Sequence, residues 1–89
     1  MRKKIDMTPV ERVQTGVRLE RRILQVLRAL ADLKGVTLGD LIEGIALHAF
    51  EGKAPFGADT LDQVRALKKA FHLDLDASSS HKLSDAETR

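Results

Sequence analysis

The sequence contains no cysteine, which limits how the chain can be stabilised. Disulfides and metal sites built on thiolates are excluded, and the composition is compatible with a reducing compartment. The sequence also has no apolar run long enough to span a membrane. The basic start Met1-Arg2-Lys3-Lys4 lacks the hydrophobic segment of a signal peptide. We therefore expect a soluble protein of the cytoplasm.

Features typical of catalysis are also lacking. We find no glycine-rich phosphate loop, no nucleophile beside a recognisable base, and no motif of paired carboxylates. His72, Asp74, Asp76 and His81 could in principle gather a metal ion, but the serine-rich sequence around them argues against a closed site. We expect a protein that is not an enzyme and that needs no metal and no cofactor.

Positive charge is concentrated in the first part of the chain. Residues 1–34 carry nine Lys or Arg against four acidic residues, a net charge of +5, whereas residues 35–89 carry six against nine, a net charge of −3. This asymmetry favours a polyanion as partner for the N-terminal part. The alternative is that these basic residues merely solvate an ordinary surface.

One segment, residues 13–19, shows a strict alternation of residue types. Apolar or β-branched residues stand at Val13, Thr15, Val17 and Leu19, with polar or small residues between them. A period of two predicts a strand with one buried face. No second strand pattern exists in the chain, so we expect the strand to pair with its own copy across a two-fold axis. A register shifted by one residue is the alternative, because Thr15 is less apolar than an inward position favours.

From Glu20 onward the period changes to about 3.6 and predicts helices. The first helix is expected from Glu20 to Lys34, where Gly35 closes it, and the second from the cap Thr37 to Gly52. A third, shorter helix is expected after a cap at Asp59 or Thr60. Its apolar face is formed by Leu61, Val64, Leu67 and Phe71.

These patterns divide the chain into four parts. A basic arm (1–12) precedes the strand and its two helices (13–52). A connector and an accessory helix (53–76) follow. The polar, serine-rich remainder (77–89) is typical of a disordered tail.

The order of strand, basic helix, Lys34-Gly35-Val36-Thr37 turn and second helix resembles the ribbon-helix-helix family of DNA-binding repressors, which includes the methionine repressor and Arc. The resemblance covers about residues 13–51. It implies a homodimer whose two strands form an intermolecular antiparallel ribbon in the DNA major groove. The expected fold class is therefore mainly α, a ribbon-helix-helix homodimer with a C-terminal accessory helix.

In such a ribbon the outward residues Gln14, Gly16 and Arg18 would read the bases. Arg18 can donate two hydrogen bonds to the O6 and N7 atoms of guanine, and Gln14 can pair with an adenine edge. Gly16 stands where the family usually has a polar side chain. Either the backbone approaches the bases closely there, or one reading position is lost.

Phosphate contacts are expected from two sources. The free backbone N–H groups at the start of the second helix, at Thr37 and Leu38, can hold a DNA phosphate. The candidate cations are Lys3, Lys4, Arg12, Arg21 and Arg22.

The sequence therefore predicts a homodimeric transcriptional regulator, a repressor that binds double-stranded DNA sequence-specifically. The alternative is an antitoxin that binds DNA in the same way and engages a toxin through residues 54–89. A toxin partner would use the C-terminal extension that lies beyond the resemblance.

Overall fold

Three α-helices of similar length make up half of the computed structural model, which describes residues 7–86. The helices are α1 (Arg21–Lys34), α2 (Leu38–Phe50) and α3 (Ala58–Ala70), and a short 3-10 helix follows at Ala77–Ser79. Because α1 packs against both α2 and α3, it forms the centre of the structure. Within the described residues, none of the helices has the length and apolar character required to cross a membrane.

The three helices begin in different ways. At α1 the carboxylate of Glu20 accepts hydrogen bonds from the backbone N–H groups of Arg22 and Ile23, at 2.8 and 3.0 Å. At α2 the hydroxyl of Thr37 accepts from the N–H of Asp40 at 3.0 Å, which confirms the predicted cap. At α3 the cap is Gly57, with no side-chain hydrogen bond. The predicted cap at Asp59 or Thr60 is wrong, since both residues lie inside the helix.

All three helices are followed by a residue with left-handed backbone geometry. Gly35 has a φ of 69° and Gly52 a φ of 70°, as expected for glycine after a helix. After α3 the same geometry falls on His72, with a φ of 57°. There the N–H of Leu73 donates to the carbonyl of Lys68 at 2.8 Å. This turn reverses the chain and sends the residues after α3 back toward α1.

The hydrophobic core is small and lies where α1 meets the other two helices. The buried apolar residues are Val26, Leu30 (1% exposed), Ala31 and Leu41, and the last three pack together. Half-buried apolar side chains surround them: Leu27, Val36, Ile45, Phe56, Val64 and Leu67. Two residues of the apolar face predicted for the third helix therefore contribute to the core, so α3 folds onto its own chain.

The predicted strand over residues 13–19 is wrong, and with it the ribbon-helix-helix fold with a two-stranded ribbon. Residues 7–20 have no regular structure, and residues 7–86 contain no strand and no sheet. Alternating residues favour an extended backbone, but a strand also needs a second backbone to pair with its N–H and C=O groups. Residues 7–86 offer no such partner, so the architecture of this part of the chain is all-helical.

The face of this segment that we expected to be buried is also exposed. Val13 is 77% exposed and Val17 is 73% exposed, while Leu19, closest to α1, is 44% exposed. Thr15 is exposed as well. The described residues therefore leave Val13 and Val17 largely uncovered and cover Leu19 only in part.

Part of the predicted disordered tail has local structure. The carboxylate of Asp76 caps the 3-10 helix Ala77–Ser79 by accepting from the N–H of Ser78 at 2.9 Å. Leu75 and Ser79 are half-buried. This stretch lies beside the start of α1, where Ile23 lines a depression together with Leu75 and Ser79.

Candidate nucleic-acid interface

The segment Met7–Leu19 leads into α1 with every residue exposed, and one arginine fixes its position. The Nε and Nη2 atoms of Arg12 donate to Oε2 and Oε1 of Glu43 on α2, each at 2.9 Å. This two-bonded geometry matches the planar guanidinium to the carboxylate. The hydrogen bond from Arg12 lowers the pKa of Glu43 below its ordinary value. Arg12, a predicted phosphate contact, therefore attaches the segment to α2.

The three predicted base-reading residues share this exposed segment. Gln14, Gly16 and Arg18 all face open surroundings, and a Cβ atom added to Gly16 would meet nothing within 4 Å. The side chain of Arg18 is 89% exposed, and its Nη2 atom lies 2.8 Å from Oδ2 of Asp85. The segment thus exposes the guanidinium group of Arg18, which is paired with Asp85, and the amide group of Gln14.

Arg22 has a different environment from the one predicted. Its Nε atom donates to Oε2 of Glu20 at 3.0 Å, and its Nη1 atom donates to the carbonyl of His72 at 2.9 Å and to Oδ1 of Asp74 at 3.2 Å. Only 30% of the side chain is exposed. Arg22 therefore connects the start of α1 to the chain that follows α3. The neighbouring Arg21 is exposed.

The structure does not gather all the predicted phosphate contacts. Thr37 and Leu38 begin α2 at the C-terminal end of α1, whereas Arg21 lies at its N-terminal end. A helix of 14 residues is about 21 Å long. The start of α2 is thus a separate location from the one formed by Arg18 and Arg21. Lys3 and Lys4 lie outside the described residues.

Sequence reasoning missed the acidic partners of these arginines. Glu43 and Arg12 are separated by 31 residues, and Asp85 lies near the opposite end of the chain from Arg18. No local pattern marks such pairs. Glu20 was missed as a helix cap because glutamate is not among the residues that usually occupy this position.

Two shallow depressions are present on the described surface. One, of about 170 Å³, lies beside α2 and includes Leu41, Ile45 and Phe56. The other, of about 320 Å³, lies between the start of α1 and the residues after α3, and includes Ile23 and Leu75. Throughout residues 7–86, no group of three His, Asp or Glu side chains is placed to hold a metal ion.

Comparison of this chain with protein-family models, with curated proteins and with solved structures gave no match. Function is therefore argued from the chain's own residues. The most distinctive arrangement they form is the exposed segment, its basic side chains and the acidic groups that hold some of them.

The Glu20 cap makes the start of α1 sensitive to acid. Partial burial by itself raises the pKa of Glu20. Hydrogen bonds from the N–H of Ile23 and from the side chain and N–H of Arg22 outweigh it, so the pKa lies below the ordinary value of 4.5. A carboxylate with a lowered pKa stabilises the fold above its unfolded pKa and loses that contribution as pH falls through its folded pKa.

We predict that Glu20→Gln lowers the melting temperature near neutral pH, because the charged cap and its bond to Arg22 are weakened. The difference in melting temperature between the variant and the wild-type chain should stay constant above about pH 5. It should shrink as pH falls below the ordinary pKa of a glutamate. Thermal unfolding followed by circular dichroism across this range measures the difference. A difference in melting temperature that does not change with pH would show that the charge of Glu20 does not contribute to the stability of the fold.

Proposed function

We propose that this chain is a DNA-binding transcriptional regulator that acts in the cytoplasm as a homodimer and represses by occupying its operator. The observation that carries the proposal is the exposed segment Met7–Leu19, in which the side chains of Gln14 and Arg18 are accessible to a partner. The proposal does not depend on a paired ribbon. It depends on an exposed segment that can contact a groove and present these two side chains to the duplex.

The chemistry of the two side chains supports this role. The guanidinium of Arg18 can donate two parallel hydrogen bonds to O6 and N7 of a guanine, and the amide of Gln14 can both accept from and donate to an adenine edge. The guanine and adenine atoms that make these hydrogen bonds are all accessible in the major groove. A Cβ atom added to Gly16 would meet no atom of the described residues within 4 Å, so a base edge has room to approach the backbone at Gly16.

Electrostatics favours the same part of the chain. Residues 1–34 carry a net charge of +5, and such a concentration of cations attracts the DNA backbone in a salt-dependent way. Arg21 is exposed beside the segment, so among the arginines predicted to contact phosphate it has the best access to the duplex. Arg12 and Arg22 are already bound to carboxylates and act mainly by positioning the segment and the start of α1.

The exposed apolar side chains support a homodimer. Val13, Val17, Leu47 and Phe50 are between 65 and 83% exposed, and the buried core within one chain is small. Burying apolar area stabilises association by about 25 cal/mol per Å². A second copy of the chain offers apolar surfaces of the same kind, and a two-fold dimer would present Arg18 twice to a symmetric site.

The antitoxin alternative receives less support. A toxin partner was expected to engage residues 54–89, but Val64 and Leu67 of this region pack into the chain's own core. The residues just after α3 are likewise held by Arg22. A protein that has already folded its extension onto itself has less apolar surface left to wrap a partner.

We predict that Arg18→Lys reduces the preference of the protein for its operator over a scrambled duplex. The substitution retains the positive charge but removes the planar guanidinium group that can donate two parallel hydrogen bonds. A good two-bonded contact gives about 1–3 kcal/mol of discrimination against the wrong base. Arg21→Lys, a matched change three residues away, should leave the preference intact. Affinities for both duplexes at several salt concentrations measure the effect.

The two variants should remain equally helical by circular dichroism, so that a change in affinity cannot come from unfolding. If Arg18→Lys and Arg21→Lys alter the preference to the same extent, Arg18 contacts phosphate and does not read a base. If the wild-type chain binds neither duplex even at low salt, the proposed function is wrong.

We also predict that the protein sediments at twice the chain mass of 9.9 kDa, and that Val17→Asp shifts it toward the monomer. Val17 is 73% exposed in the single chain, so the substitution should not unfold the protomer. Leu33→Asp introduces the same charge on a leucine of α1 that is 58% exposed and lies outside the proposed dimer surface, so it should leave the dimer unchanged. A wild-type chain that sediments as a folded monomer would contradict the homodimer.

A further inference from the structure

The chain after α3 is attached to the start of α1 by polar contacts. Nη1 of Arg22 holds the carbonyl of His72 and the carboxylate of Asp74, at 2.9 and 3.2 Å. The ammonium group of Lys68, on α3, donates to the carbonyl of Leu75 at 3.0 Å. These contacts fix the direction in which the remaining residues leave α3.

An apolar contact surface continues from these anchors. Ile23 of α1 lines one side of a depression, and Leu75, Ser79 and Leu83 line the other. The residues between Leu75 and Leu83 therefore run past the start of α1. We call residues 72–86 the C-terminal strap.

The strap ends beside the principal residue of the proposed DNA-binding surface. Two residues beyond Leu83, the carboxylate of Asp85 lies 2.8 Å from Nη2 of Arg18. Apart from Lys82, the charged groups of the strap are acidic: Asp74, Asp76 and Asp85. The strap thus brings negative charge to the positively charged segment that DNA would contact.

We propose that the C-terminal strap competes with DNA for Arg18, so that the protein carries its own weak inhibitor of duplex binding. The inference rests on the proposed function and adds a form of regulation to it. A carboxylate offers the guanidinium fork the same kind of charged oxygen acceptor that a nucleic acid offers. A duplex that binds Arg18 must therefore first displace Asp85.

The contact has the strength that a reversible competitor needs. Both side chains are largely exposed, 89% for Arg18 and 75% for Asp85, and exposed pairs are screened by water and salt. Releasing Arg18 from such a pair should tighten duplex binding by about two- to five-fold. The contacts of Arg22 and Lys68 hold the strap near the start of α1. They therefore raise the effective concentration of Asp85 around Arg18.

The chain contains a matched control for this pair. Asp62 on α3 also binds an arginine, Arg65, at 2.9 Å, and its side chain is 76% exposed. Asp62→Asn and Asp85→Asn therefore remove the same charge from carboxylates of equal exposure. Only Asp85→Asn releases the proposed base-reading residue.

The first measurement is the affinity of the wild-type chain and both variants for a short fluorescent DNA duplex of random sequence at low salt. Asp85→Asn should bind about two- to five-fold more tightly than the wild-type chain. Asp62→Asn should gain clearly less, since it changes only the overall charge. The difference should diminish as salt is raised.

The second measurement detects the strap directly. Because the chain has no cysteine, Ser84→Cys provides a single site for a nitroxide spin label next to Asp85. The label should broaden the amide signals of Val17, Arg18 and Leu19 in the free protein. Addition of the duplex should restore those signals, because the strap leaves Arg18 when DNA binds.

The outcomes separate the two proposals. If the wild-type chain binds the duplex but Asp85→Asn and Asp62→Asn change the affinity equally, or if the label broadens none of the three signals, the strap does not compete and the proposed function stands. If neither the wild-type chain nor Asp85→Asn binds the duplex, the proposed DNA-binding function is wrong, and so is the proposal that the strap competes with DNA.

Discussion

The burial of Leu30 and Ala31 between two other helices is the interaction on which the rest of this structure depends. Three helices of 13 or 14 residues are too short to be stable alone in water. Each must cover its apolar face with another helix. Since α1 contacts both α2 and α3, it supplies the shared surface, and the two connections must return α2 and α3 to it. The left-handed residues after each helix provide those reversals.

This arrangement concentrates polar contacts at the start of α1. Glu20 caps the helix, Arg22 links that cap to the chain after α3, and the exposed segment departs from the same point. Basic and acidic groups from distant parts of the sequence consequently meet there. The pairs formed there differ in exposure: Glu20 and Arg22 are 26% and 30% exposed, whereas Asp85 and Arg18 are 75% and 89% exposed. An exposed pair such as Arg18–Asp85 is weak, so Arg18 can exchange Asp85 for another anion at little cost.

The sequence predicted the helices better than their surroundings. The 3.6-residue period, the Thr37 cap and Gly35 located α1 and α2 closely, because each signal acts within a few residues. The alternation at residues 13–19 indicated extended backbone but could not supply a partner, so the strand was wrong. Arg12 and Arg18 were recognised as exposed cations. Their carboxylate partners could not be predicted, because contacts between distant residues are set by how the helices pack.

The central claim is that the exposed segment reads DNA, and selection from a pool of random duplexes tests it most directly. The wild-type chain should enrich a short motif with a guanine at a fixed position, repeated in two symmetric half-sites if the protein binds as a dimer. The same selection with Arg18→Ala should lose that guanine and retain only weak, salt-sensitive binding. Recovery of no motif by the wild-type chain, or of an unchanged motif by Arg18→Ala, would contradict the account.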